Sequence, residues 1–239
     1  MNFKLLLAGI IVITTTFVSA QDKTSKDISF DKKKTSYAYG YRIGLEFLGK
    51  KGSEFELNTD EAIKGIRDAA AKKEPIVSKE DMVLNFQAYQ KKMEMRQLEA
   101  YKKLADSNKK RSDDFLKSNR KKKGIKELAS GIQYRVIEDG KGKHPSLDDE
   151  VVMHYRLSLI GTENPDVFQE MDSSFSRGEP KTIKVSESLK GWQEILPLMK
   201  PGAKWQVFIP PELAYGVRGQ RPIGPNEVLI FDINLLSIK

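Results

Sequence analysis

No cysteine occurs among the 239 residues. Disulfides, thiolate nucleophiles and cysteine metal sites are thereby excluded. Histidine is nearly as scarce. His144 and His154 are the only two, too few for a histidine-rich metal cluster, and His154 reads as a strand residue rather than a base. Neither a metal nor an organic cofactor is expected. Long apolar runs are also missing, since a membrane-spanning helix needs about 20 such residues. The nearest stretch, residues 5–18, follows Lys4 and precedes Val18-Ser19-Ala20. That is the pattern of an export leader cleaved before Gln21. With no cysteine behind the leader, lipid attachment at a mature N-terminal cysteine is excluded. The expected product is a secreted or periplasmic protein beginning near Gln21, with an uncleaved anchor as the alternative.

The net charge of +8 is not spread evenly. Residues 102–127 hold eleven Lys or Arg against four acids, a surplus of seven. Such a run reads first as a solvated helix face, with attraction to anionic clients or a membrane surface as the alternative. Without aromatic interleaving or a recognition motif it does not read as a nucleic-acid site.

What is present falls into two halves. Residues 21–34 are polar and Lys-rich, and are expected to be flexible. From 35 to 49, Tyr37, Tyr41, Leu45 and Leu48 recur at helical spacing, with Gly49 and Gly52 as the stop. Asn58, with Glu61 three residues on, reads as the N-cap of a second helix carrying Ile63 and Ile66. Ser78 and Asp81 start a third, in which Met82, Phe86, Tyr89 and Met93 form one apolar stripe. No Pro or Gly interrupts it before Gly124, so it predicts a helix of about 40 residues and about 60 Å. Its basic second half is expected to project into water. One-sided stripes on so few helices bury little surface. Exchange of helices with a second copy solves that problem; a bundle closing on itself is the alternative.

After Gly124 the period becomes strand-like. Ile132, Tyr134 and Val136 alternate with polar residues. Residues 151–159, 181–185, 203–209 and 228–238 are further strands. Ser188 is expected to cap one short helix that Pro197 ends. The half is therefore an α+β domain with the helix on one sheet face. Within it are Leu189, Trp192, Tyr215, Ile223 and Phe231, several of them beside Gly or Pro turns. Aromatics so placed either fill a core or line a concave apolar pocket.

L-K-G-W, K-P-G-A-K-W, A-Y-G and P-I-G-P-N-E-V-L-I-F-D-I, with H-Y at 154–155 and M-D-S-S-F-S-R-G-E-P at 171–180, resemble the FKBP-type peptidyl-prolyl cis–trans isomerases over residues 125–239. The helical half resembles the dimerisation domain of their exported FkpA and macrophage infectivity potentiator subgroup. The resemblance implies an FKBP-like antiparallel sheet wrapped on a short helix, behind a helical dimerisation domain with a long connecting helix. It implies four segments: a signal peptide (1–20), a flexible segment (21–34), helical domain and arm (35–124), and isomerase domain (125–239). It also implies roles. Trp192 would floor the pocket, with Tyr155, Ile183, Leu189, Ile223 and Phe231 as walls. The Leu189 N–H and Tyr215 hydroxyl would bond substrate carbonyls. Asp172 would polarise the site through Tyr155. The family places Phe where Met171 stands, so either Met171 or Phe168, from the longer loop 161–170, completes the wall. Implied partners are unfolded or X-Pro-containing polypeptides, a second copy through the N-terminal helices, and the family's macrolide inhibitors. The second function weighed is a chaperone or binding module that uses the same pocket with little turnover.

Overall fold

The computed structural model describes residues 30–47 and 57–239. The leader, the stop at Gly49 and Gly52, and Leu48 lie outside the described residues. The chain divides into two compact units, Met1–Asp81 and Met82–Lys239.

The first unit is helical. Helix α1 spans Lys32–Phe47 and so begins inside the stretch expected to be flexible. Asp31 is the reason. Its side chain accepts the Lys34 N–H at 3.0 Å and satisfies a donor that the helix start leaves open. Helix α2 spans Thr59–Ala70, and Asn58 accepts from the N–H groups of Asp60 and Glu61, as its spacing predicts. Helix α3 spans Lys79–Asn119, 41 residues, and from Met82 onward belongs to the second unit. The Ser78 hydroxyl oxygen accepts the Asp81 N–H at 3.0 Å at its start. The apolar stripes on these helices stay open: Tyr37, Tyr41, Leu45 and Phe86 are each 60% or more exposed.

The second unit is built on a seven-stranded antiparallel sheet. Its strands are β1 (Ile125–Glu127), β2 (Gln133–Glu138), β3 (Glu150–Ile160), β4 (Phe168–Ser173), β5 (Lys181–Lys184), β6 (Lys204–Ile209) and β7 (Leu229–Ile238), in the order β1-β2-β6-β7-β3-β4 with β5 also on β3. Strand β3 pairs β7 along one edge. Along the other, its first half pairs β5 and its second half β4. Alternation sorts the side chains onto two faces. Val207, Ile209, Phe231 and Ile233 enter the main core with Tyr155 and Leu157. Phe208 and Ile230 enter a smaller cluster with Phe115.

Two short helices complete the unit: α4 (Ser174–Arg177) and α5 (Lys190–Ile195). Helix α5 lies on the main core through Trp192 and Ile195. Gly191 permits that approach, because a Cβ there would stand 2.5 Å from Ile209 Cγ2. Ser188 does not cap α5 as expected. Its hydroxyl donates backward to the Val185 carbonyl at 2.6 Å. The Leu189 carbonyl instead accepts from Trp192 N and Gln193 N. Helix α5 ends at Ile195, just before Pro197 as expected, and Pro197 sits early in a 3-10 turn, where its missing N–H costs nothing.

The second half of α3 does not project into water. Asn108, Ser112, Phe115 and Asn119 are buried, at steps of four, three and four residues. They form one helix face. Phe115 packs between Phe208 and Phe168, with ring centroids 5.7 and 6.0 Å away. The basic side chains of this stretch occupy the other faces, several paired with acids along the helix, as in Lys110–Asp114.

Candidate functional site

A cavity of about 350 Å³ opens where β3, β4, β5, α5 and the loop after β6 meet. Trp192, Tyr155, Phe231, Ile183, Leu189 and Tyr215 line it, together with Asp172. Three of these rings pack edge to face. Trp192 and Phe231 have centroids 4.9 Å apart at 66°, and Tyr155 and Trp192 5.5 Å apart at 69°. Such arrangements add about 0.5–1.5 kcal/mol per pair beyond burial, which stiffens the apolar wall. Alternation along β3 aims Tyr155 and Leu157 inward, and the same rule on β7 aims Phe231 inward.

The polar side of the cavity is one network. The Tyr155 hydroxyl donates to Asp172 Oδ2 at 2.5 Å. Arg177 Nη2 donates to the Tyr155 oxygen at 2.9 Å, and its other nitrogen pairs with Asp172. Desolvation pushes the Asp172 carboxyl up, but the bonds from Tyr155 and Arg177 outweigh it and hold the group below its ordinary value. Burial, then the bond to Asp172, pushes the Tyr155 phenol up. Burial, then the nearby Asp172 charge, does the same to Tyr215. At neutral pH Asp172 is therefore a carboxylate, and Tyr155 and Tyr215 are un-ionised phenols. Two donors at the cavity are free. Neither the Leu189 N–H nor the Tyr215 hydroxyl has a hydrogen-bond partner among the described residues. No group of acids or histidines that could hold a metal occurs among the described residues.

Seven of the nine sequence-predicted residues thus meet at one cavity. Ile223 and Met171 are not among its lining. Ile223 is buried in the main core, and Met171 packs against it from the side. Phe168 faces the other cluster, with Phe115 and Phe208, and does not complete the wall. The cause is a register shift on β4. Glu170 opposes Ser158 and Asp172 opposes Leu157, which leaves Met171 as the extra residue. That bulge reverses the alternation. Phe168 is sent to one face and Asp172 to the other. Residues 168–170, expected within a loop, are part of β4.

Sequence reasoning missed Arg177, Lys181, Leu157 and Glu187. Arg177 had a signal: it stands five residues after Asp172, at the end of a one-turn helix. The Ser173 hydroxyl caps that helix and Gly178, at φ 77°, ends it. Lys181 Nζ stands 5.9 Å from the Tyr155 ring centroid; nothing in its neighbours' pattern marks it.

Residues 141–236 match the family described as FKBP-type peptidyl-prolyl cis-trans isomerase, and residues 32–136 the domain amino terminal to it. The outer membrane protein MIP of Legionella longbeachae is 39% identical over 242 residues, spanning 100% of this chain and 99% of that protein. The peptidyl-prolyl cis-trans isomerase Mip of Coxiella burnetii is 37% identical, over 98% of this chain and 96% of its own length. The crystal structure of FkpA from Escherichia coli superposes with a TM-score of 0.71 at 33% identity. It covers 88% of this chain and 98% of that one.

Proposed function

The chain belongs to the FKBP-type peptidyl-prolyl cis–trans isomerases, and we propose that it turns X-Pro bonds of unfolded exported polypeptides in the cavity beside Trp192. The observation that carries the site is the pairing of an aromatic-walled cavity with two unpartnered donors, the Leu189 N–H and the Tyr215 hydroxyl.

Amide resonance sets the barrier to X-Pro rotation. Exchange takes tens to hundreds of seconds, although trans is favoured by only about 0.5–1 kcal/mol. A catalyst needs to favour the twisted amide over the planar one. In this site the proline ring rests on Trp192, walled by Tyr155, Ile183 and Phe231. Ile223 and Met171 support that wall from behind. The Leu189 N–H and Tyr215 hydroxyl hold the carbonyls on either side of the rotating bond. Asp172, kept ionised by Arg177 and oriented by the Tyr155 hydroxyl, sets the field at the open edge. No proton moves and no covalent bond forms. The apolar wall keeps water from solvating the planar amide. A protease-coupled assay on the folded chain tests this assignment: X-Pro turnover that falls on Tyr215→Phe supports it, and unchanged turnover removes the hydroxyl's role.

The finer features are proposals too. A cleaved leader at residues 1–20 fits the small residues at 18–20 and the outer-membrane name of one relative. No described helix is long and apolar enough to cross a membrane. The open stripes on α1 and α3, and an apolar cleft of about 720 Å³ lined by Tyr37, Tyr41, Leu57 and Ile63, support pairing of two copies through the N-terminal helices. Two pockets in one dimer raise the effective concentration for an unfolded chain and support a chaperone role. Macrolide inhibitors of the family fit the same apolar cavity. The contacts of α3 support an isomerase domain that begins near Tyr101 rather than at residue 125.

A further inference from the structure

We infer that Tyr101, Asn108, Arg111 and Ser112 of α3 are positioning residues for isomerisation, acting through the loop that carries Tyr215 and Ile223. The inference rests on the isomerase reading of the cavity.

The loop from Tyr215 to Val228 is first tied to itself. Gln220 and Ile223 exchange backbone bonds of 2.9 and 2.7 Å, and Asn226 N donates to the Gly216 carbonyl at 2.8 Å. Of its side chains Tyr215, at its start, lines the cavity, and Ile223, in its middle, is buried in the main core. Its outer edge has no strand to pair with, and α3 fills that place. The Tyr101 hydroxyl lies 2.8 Å from the carbonyl oxygens of both Val217 and Arg218. Asn108 Nδ2 donates to the Pro225 carbonyl at 2.8 Å, and Asn226 Nδ2 donates back to the Ala105 carbonyl at 3.0 Å. The Ser112 hydroxyl donates to the Asn226 carbonyl at 2.7 Å and accepts from Val228 N at 3.2 Å. Arg111 Nη2 bonds both carboxylate oxygens of Glu227, at 2.7 and 2.8 Å.

Apart from the Arg111–Glu227 pair, the bond back to Ala105 and the bond from Val228 N, these are bonds to backbone carbonyls of the loop. Tyr101, Asn108 and Ser112 stand seven and four residues apart, on the helix face that Phe115 continues. Gly224 fits the same arrangement, because a Cβ there would stand 3.2 Å from Asn108 Nδ2. The loop's conformation is thus set from both sides: by its own turns and by a helix that holds it along its length. Tyr215 opens this loop, and no hydrogen bond of its own fixes its hydroxyl. The distance of that hydroxyl from a bound amide therefore depends on where α3 holds the loop. Misplacement of a binding group by about 1 Å can cost up to about a hundredfold in rate.

The test uses the full chain. Tyr101→Phe removes one hydroxyl from an exposed residue; Asn108→Ala with Ser112→Ala removes the central ties. Three quantities are read: kcat and KM for an X-Pro peptide, hydrogen exchange at the amides of Gly219, Ile223 and Asn226, and the same kinetics with Tyr215→Phe added. We expect kcat/KM to fall about threefold in Tyr101→Phe and about tenfold in the double variant. Exchange at the loop amides should quicken about tenfold. Both kinetic losses should shrink once Tyr215 is already Phe, since coupled groups are not additive. Faster exchange with unchanged kinetics overturns the inference, as do unchanged exchange or losses that add fully to that of Tyr215→Phe. If the double variant does not fold, Tyr101→Phe decides alone. An unvaried chain that folds without isomerising anything overturns the isomerase reading first, and is seen before any variant is made.

Discussion

Phe115→Ala should destabilise the isomerase unit far more than its place on a long polar helix suggests. The ring is 3% exposed and packs against Phe208 and Phe168 beside Val228 and Ile230. Truncating a fully buried Phe costs about 3–5 kcal/mol, because the surroundings collapse only partly into the space. Phe168, Phe208 and Ile230 are strand residues of β4, β6 and β7, held by their ladders, so collapse is limited. The unit's total stability is expected at about 5–15 kcal/mol, of which the loss is a large share. Both tryptophans of the chain, Trp192 and Trp205, are buried in the main core of this unit. Denaturant unfolding followed by tryptophan fluorescence therefore reports this unit and not the N-terminal helices. A loss under about 1 kcal/mol would refute the packing of α3 on the sheet. The same reasoning orders two fragments: residues 101–239 should unfold at higher denaturant than residues 125–239, which lack Phe115 and leave Glu227 without Arg111. Equal midpoints would count against it.

Asp172→Ala and Tyr215→Phe should each lower kcat/KM by about two- to tenfold, the worth of one hydrogen bond, with the melting transition kept; unchanged kinetics in both would remove their roles. Turnover should be flat between about pH 5 and pH 9, because Asp172 titrates below its usual value of about 3.9 and Tyr155 and Tyr215 above about 10. For Asp172 the folded-state pKa is depressed, so its contribution to stability is present above pH 3.9 or so and lost as pH falls through the lower folded value. Arg177→Ala removes the charge and bonds that depress it, and should move the acid limb of the rate profile upward; an unmoved limb would show that Arg177 does not control Asp172. Light scattering after size exclusion should give twice the chain mass at micromolar concentration, and a monomer would contradict pairing through the open stripes of α1 and α3.

Much of this architecture was legible in local patterns. Asn58 and Ser78 announced α2 and α3 because a cap needs a specific residue type at a specific step. Ile132, Tyr134 and Val136 showed period two because all three pack on the main core. The short motifs around Trp192 and Tyr215 pointed to the cavity because close packing forces them: only Gly fits at 191 against Ile209. Other features were hidden for equally physical reasons. The buried face of α3 reads as polar because Asn108 and Ser112 meet loop carbonyls rather than side chains. No apolar period marks such a face. Strand β4 was hidden by its bulge at Met171, which breaks the alternation by which a strand is recognised. Helix α1 starts early because Asp31 caps it, amid lysines that read as disorder.

Exchange spectroscopy by NMR on an X-Pro peptide tests the central claim most directly, since it sees both isomers at equilibrium and needs no protease. A catalyst quickens exchange in both directions and leaves the cis:trans ratio untouched. With the folded chain at a small fraction of the peptide concentration, exchange cross-peaks should appear on a timescale well under the spontaneous tens to hundreds of seconds, at an unchanged ratio, and weaken with Tyr215→Phe. Exchange no faster than spontaneous, with the ratio shifting only at stoichiometric protein, would mean that the cavity binds proline segments without turning them, and would contradict the account.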